Sequence, residues 1–193
     1  SGLINQFLKK KSNNKKKIIN EIKKKYSFLS IKKHFEKLRK LKVLVIGELI
    51  IDRYNFCEAL GKSGKEPVLV LRDLKTEQYL GGAAAISRHI SEFCNKITLL
   101  SMVGQKCEFL KEIKNNLPKN INFKYIKKKN SPTILKKRFL DNVSNNKVLG
   151  VYKINDDDLT EADEKLFNKN LKKLIPSHDL VIVSDYGHGL ISK

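Results

Sequence analysis

The chain has no tryptophan, one methionine (Met102), four prolines and three cysteines in 193 residues. Cys57, Cys94 and Cys107 are odd in number and lack any Cys-x-x-Cys spacing, which excludes a paired disulfide framework and a cysteine-built structural zinc site. Reduced thiols in a cytoplasmic protein are the expectation. No apolar run approaches the roughly 18–20 residues of a membrane span, and the N-terminus lacks a signal-peptide apolar core. Arginine is confined to positions 39, 53, 72, 88 and 138, so the net charge of +20 is carried by lysine, mixed with asparagine and isoleucine in the manner of an AT-rich genome. Without aromatic residues interleaved to stack on bases, that charge is weak support for a nucleic-acid-binding protein. The chain opens Ser1-Gly2 with no initiator and stops just after a strand and its loop, so it is expected to be a piece of a longer protein.

What is present divides at about residue 40. Lysine clusters at Lys9–Lys11, Lys15–Lys17 and Lys23–Lys25 punctuate apolar positions Ile18, Ile22, Tyr26 and Leu29 at helical spacing, and Ile31, Phe35 and Leu38 share one face of a second helix. Residues 1–40 are expected to be a lysine-rich helical linker or docking segment rather than a membrane-surface helix, because the apolar face is short. From Leu41 the pattern alternates. Strands are expected near 42–47, 67–73, 97–102, 121–126, 133–140, 147–154 and 179–184, with helices near 82–94, 107–116 and 160–174, an α/β arrangement with crossover helices. The 67–73 and 133–140 segments mix apolar and charged residues, which suits a separate small sheet covering a substrate.

Two segments carry the functional reading. The run Val43-Leu44-Val45-Ile46-Gly47 reads as a buried parallel strand, with Asp52 just beyond it where open α/β sheets place ligands. Gly81-Gly82-Ala83-Ala84-Ala85 then opens an amphipathic helix whose small residues allow close approach to backbone N–H groups. Asp52 could accept two sugar hydroxyls, or could be an ion pair or a helix cap. Gly81 and Gly82 could contact a ligand or form a tight turn.

Gly47-Glu48 through Asp52-Arg53-Tyr54, followed by Gly81-Gly82-Ala83-Ala84, resembles the N-terminal half of the ribokinase-like (phosphofructokinase B type) carbohydrate kinases, and most of all the branch that phosphorylates heptose phosphates for ADP-heptose synthesis. Glu66-Pro67-Val68-Leu69-Val70 and Pro132-Thr133-Ile134 with Lys136 to Arg138 resemble that branch's lid strands, and Val181 to Gly189 its strand ending in Ser-Asp-Tyr. The similarity runs from about Leu41 to the C-terminus. Ala85 stands where the family commonly has asparagine, and His188 where it has lysine.

The resemblance implies a three-layer ribokinase-like α/β fold with a small β lid and an N-terminal helical extension. It implies ATP and Mg2+ as cosubstrate and metal, and a sugar or sugar phosphate as acceptor. Asp52, Gly81, Gly82, Ala83 and Arg138 would bind the acceptor, and Asp185 and His188 would lie near the Mg-nucleotide. The general base and anion hole would fall beyond Lys193, so no catalytic residue is assigned here and the 193-residue chain alone is expected to be inactive. It further implies a fused nucleotidyltransferase domain for which residues 1–40 would be the connector, while apolar Val68, Val70, Ile134 and Phe139 on the surface of lid strands too few to bury both faces predict a homodimer through the lid strands. A non-catalytic sugar-phosphate-binding module is the alternative of another class, with a basic nucleic-acid binder third.

Other motifs carry less. Gly61-Lys62-Ser63 lacks the preceding glycine and following helix of a phosphate-binding loop. Asp156-Asp157-Asp158 lacks the spaced ligands of a calcium loop and suits a solvated turn before a helix. Lys136 and Arg138 alternate along a strand and so share a face, where they could meet a phosphate or only water. His34, His89 and His178 have no partner at metal-ligand spacing.

Overall fold

The structure is a computed structural model that describes residues 15–191. Lys9–Lys11 and the last two residues therefore lie outside it. The chain divides into two units, residues 1–40 and 41–193.

In the first unit, residues 15–25 are helical and α1 runs Phe28–Lys40. The sequence pattern suggests one helix continuing to Leu29, but the chain breaks at 26–27. There the Ser27 hydroxyl accepts the Ser30 amide at 3.1 Å and starts a new helix, a standard capping role for serine. No residue of α1 is buried.

The second unit holds β1 (Lys42–Gly47), β2 (Leu49–Lys62), β3 (Leu69–Gly82), α2 (Ala83–Ser91), β4 (Lys96–Gly104), α3 (Leu110–Asn116), β5 (Ile121–Lys128), β6 (Leu135–Asp141), β7 (Lys147–Lys153), α4 (Glu161–Leu174) and β8 (Leu180–Ser184). One sheet, ordered β5-β4-β1-β8, is parallel throughout. Successive side chains of a strand face opposite ways, and β1 uses both faces. Val43 and Val45 pack with Ala83, Ala84 and Ile113 of α2 and α3, while Leu44 and Ile46 pack with Phe167 of α4. Two apolar faces covered by helices on opposite sides give the three-layer α/β fold that the sequence predicts.

The second sheet is ordered β3-β2-β6-β7, with β2 parallel to β6 and the outer pairs antiparallel. This is the small lid sheet, and it differs from expectation in one respect that moves the site. β2, absent from the sequence reading, follows β1 after one residue and is 14 residues long. Asp52 therefore stands inside a lid strand rather than beyond the end of a core strand. The chain escapes notice as a strand because its burial changes along its length: Leu49, Ile50 and Ile51 are buried and Ala59–Lys62 exposed. Ile134, expected on the lid surface, is instead buried in the core beside Leu100 and Met102 just before β6 begins.

The helix starts follow local chemistry. Thr160 caps α4 by accepting the Asp163 amide at 3.3 Å. The reciprocal half of the capping box is replaced, since the Asp163 carboxylate accepts the Lys129 amide at 3.0 Å. α3 begins later than its periodicity suggests because Cys107 and Phe109 adopt φ of 54° and 64°, which a continuing helix excludes. Among the described residues no helix is long and apolar enough to cross a membrane.

Candidate active site

The carboxyl ends of β1 and β8 lie side by side, with Gly47 paired to Ser184. The next residues, Glu48 and Asp185, open the two halves of the site. Helices connected to these strands cover opposite sheet faces, which makes this the crevice where parallel α/β sheets hold ligands.

On the lid side, Asp52 of β2 is ion-paired to the Arg138 guanidinium of β6, with the two side chains 20% and 17% exposed. Register places Asp52 beside Lys136 and Tyr54 beside Arg138, so all four share one lid face. Arg138 lies over the Tyr54 and Tyr152 rings at 5.5 and 5.8 Å, favourable cation–π separations. Burial works against its charge, but the hydrogen bond and charge of Asp52 prevail and hold the Arg138 pKa above its ordinary value. The second Asp52 oxygen lies over Gly81, where a β-carbon would come within 2.1 Å of it. Gly81 is thus a space-making residue beneath a carboxylate.

Gly82 does different work. It caps α2 with φ 59°, and a β-carbon there would sit 2.2 Å from the Glu48 carbonyl oxygen. That carbonyl accepts the Ala83 amide at 2.9 Å, and the Ala83 side chain is fully buried. Both groups of Ala83 are occupied within the fold, so its part at the site is to pack α2 against the sheet. Asp52, Gly81, Gly82 and Arg138 are brought together.

Asp185 and His188 stand in the other half. Asp185 is exposed and accepts the Gly187 amide at 2.8 Å, forming a turn, yet it also lines a cavity of about 450 Å3 with Asp156, Asp157, Asp158, Gly187 and Gly189. The triple aspartate, read from sequence as a solvated turn, is therefore one wall of this cavity. His188 is 7% exposed; its Nδ1 bonds Asp156 at 2.7 Å, and its buried Nε2 has no hydrogen-bond partner among the described residues. Among the described residues no group of three or more His, Cys, Asp or Glu side chains is arranged to hold a metal unaided.

Sequence reading missed Glu48 and Lys128. Glu48 is fully buried, and its carboxylate accepts the amides of Tyr186, His188 and Leu190 at 2.9, 3.2 and 3.4 Å. The signal was available: an acid inside the apolar run Val43–Ile51 must find donors. Lys128 is 2% exposed and donates to the carbonyls of Asn155, Asp157 and His188 at 2.8, 2.5 and 2.9 Å. Nothing in Lys127-Lys128-Lys129 distinguishes it from its solvated neighbours.

The sequence profile described as pfkB family carbohydrate kinase matches residues 40–187. The chain belongs to the pfkB family of carbohydrate kinases. Relatives of this family member include the bifunctional protein HldE of a Nitratiruptor species, 27% identical over 154 residues that make up 80% of this chain and 33% of the relative. The D-beta-D-heptose 7-phosphate kinase of Bordetella bronchiseptica is 27% identical over 162 residues, 82% of this chain and 49% of that protein. The chain thus spans a third to a half of the length of these curated relatives. Among solved structures, phosphofructokinase-2 from Escherichia coli in complex with fructose-6-phosphate aligns with TM-score 0.56 at 13% identity over 76% of this chain and 47% of that one. A possible 1-phosphofructokinase from Thermotoga maritima aligns with TM-score 0.55 at 18% identity, covering 73% and 44%. These likenesses establish the ribokinase-like fold.

Proposed function

We propose that the protein carrying this chain transfers the γ-phosphoryl group of ATP to a hydroxyl of a phosphorylated sugar of the heptose-phosphate class, for nucleotide-sugar or surface-polysaccharide precursors in the cytoplasm. The observation that carries this reading is the Asp52–Arg138 ion pair set against Gly81 at the base of the lid. A carboxylate is an acceptor for two hydroxyls, and a guanidinium has further N–H groups for a phosphate. An acceptor sugar carrying both groups would replace the internal pair with hydroxyl–Asp52 and phosphate–Arg138 contacts, so neither charge would be left buried alone. The names of the HldE and heptose 7-phosphate kinase relatives favour the same substrate class.

Asp185, with Asp156–Asp158 around the acidic cavity, offers the hard oxygen donors preferred by Mg2+, an ion that keeps water and nucleotide phosphate in its shell. When bound there, Mg2+ would neutralise charge on the transferred phosphoryl group. This chain's own residues position the acceptor, and the general base is expected in sequence beyond Lys193. A homodimer through the lid and a fused nucleotidyltransferase domain are part of the same proposal.

The test is a steady-state assay of the protein from its complete gene with ATP, Mg2+ and matched pairs of free and phosphorylated hexoses and heptoses. Phosphorylation of the sugar phosphates in preference to the free sugars is the expected outcome. No turnover with any sugar would refute the kinase reading, and a preference for free sugars would refute the role given to Arg138.

A further inference from the structure

Glu48 and Lys128 are the largest buried charges of the unit, and neither belongs to the sugar-binding group. They meet at the backbone of one residue: Glu48 Oε1 accepts the His188 amide at 3.2 Å, and Lys128 Nζ donates to the His188 carbonyl at 2.9 Å. The same carboxylate takes the amides on either side in sequence, Tyr186 and Leu190, and the same ammonium takes the carbonyls of Asn155 and Asp157. All three donors of the lysine are used, so its charge is fully solvated by backbone. Burial lowers the Lys128 pKa, and the nearby carboxylates of Asp157, Asp156, Glu48 and Asp158 pull it partly back. Gly189 permits the approach: with φ 77°, a β-carbon there would lie 2.0 Å from the Asp157 carbonyl oxygen and 2.9 Å from Lys128 Nζ.

We propose that Glu48 and Lys128 are positioning residues that grip the backbone of His188 between a buried anion and a buried cation, fixing the Asp185–Gly189 loop and closing it onto the Asp156–Asp158 segment. The bearing of this clamp on catalysis rests on the kinase reading, in which the loop faces the Mg-nucleotide. Glu48 reaches the loop through its side chain but reaches Gly82 and Ala83 only through its carbonyl. A side-chain substitution therefore separates the loop from the lid. The gripped loop carries two glycines at positive φ, Gly187 and Gly189, the residues with the most backbone freedom for a clamp to restrain.

The experiment uses the protein from its complete gene, with Glu48→Gln, Glu48→Asp and Lys128→Met. Each is read by amide hydrogen exchange in peptides spanning 185–190 and by separate KM values for MgATP and for the sugar phosphate. Removing one charge-assisted contact from a buried backbone group is expected to speed exchange in that loop about ten- to a hundredfold, with β1 and α2 still protected. The MgATP KM should rise by about tenfold or more while the sugar KM stays within about twofold, and Glu48→Asp should recover part of the loss. Unchanged loop exchange, or MgATP and sugar constants that move together, overturns the proposal. If the wild-type protein turns over no sugar, the kinase reading fails on its own, and loop exchange alone decides the clamp. If Glu48→Gln does not fold, the Lys128→Met pattern decides it.

Discussion

Adjacent glycines at the lid base should fail in different ways. At Gly82, alanine would keep φ near 59°, a conformation costing a side-chain-bearing residue about 1–3 kcal/mol. Its β-carbon would also press to 2.2 Å on the Glu48 carbonyl oxygen, which is backbone and cannot rotate aside. Moving that oxygen loosens its bond to the Ala83 amide, worth about 0.5–1.5 kcal/mol. The sum, about 2–4 kcal/mol, is a large share of the roughly 5–15 kcal/mol that holds a domain folded. At Gly81, alanine meets no backbone restriction of that kind, and its β-carbon would lie 2.1 Å from the free end of the Asp52 side chain. The carboxylate can swing away at about 0.5–1.5 kcal/mol for a poor rotamer, but it then leaves Arg138 and the sugar position. Urea denaturation followed by circular dichroism, with sugar KM measured in the complete protein, separates the two. Gly82→Ala should lower the midpoint by about 1–2 M for a urea slope of about 2 kcal/mol/M. Gly81→Ala should lower it by less than half as much and raise the sugar KM about tenfold or more. Equal destabilisation with an unchanged sugar KM for Gly81→Ala would refute this assignment of roles.

Asp52→Asn in the complete protein keeps the shape but removes the charged acceptor, and should raise sugar KM about ten- to a hundredfold while leaving MgATP binding in place; steady-state kinetics in both substrates reads this. The lid leaves Val68, Leu69, Val70, Leu149 and Val151 exposed, so the proposed homodimer should weaken on Val70→Lys, measured as a shift toward monomer in light scattering; a wild-type monomer at high concentration would count against it. Cys57 and Cys94 are 1% and 5% exposed and burial raises both thiol pKa values, Cys57 with help from Asp73, whereas Cys107 is half-buried; a native thiol-labelling time course should modify Cys107 first and the others only as the chain unfolds. The 193-residue chain alone should give no measurable sugar phosphorylation, and turnover comparable to the complete protein would move the active site elsewhere.

The core strands and crossover helices were legible because β-branched runs bounded by glycine announce them, and because Gly82 marks the start of α2 with the only backbone freedom its geometry accepts. β2 was not, since Asp52, Arg53, Asn55 and Glu58 interrupt its apolar pattern, and the strand it lies parallel to, β6, is far along the chain. Asp52 and Arg138 could each be nominated from sequence, yet 86 residues separate them and only strand register makes them a pair. Lys128 was illegible for a simpler reason. A lysine's burial depends on carbonyls that other segments bring to it, and no local pattern encodes them.

β2 has a mechanical consequence. At about 3.3 Å per residue its 14 residues make a lever of roughly 45 Å, with one end fastened among Leu49, Ile51 and the Ser101 hydroxyl that accepts the Leu49 amide at 2.8 Å. No loop separates fulcrum from tip, so any swing of the lid must be taken up as bending within the ladder. The register shifts at Phe56/Cys57 and Ala59/Gly61 are where the strand has already given way. Motion outward of those points leaves Asp52 still, because it lies on the fastened side of both. The outer lid can flex while the carboxylate at its base stays in place.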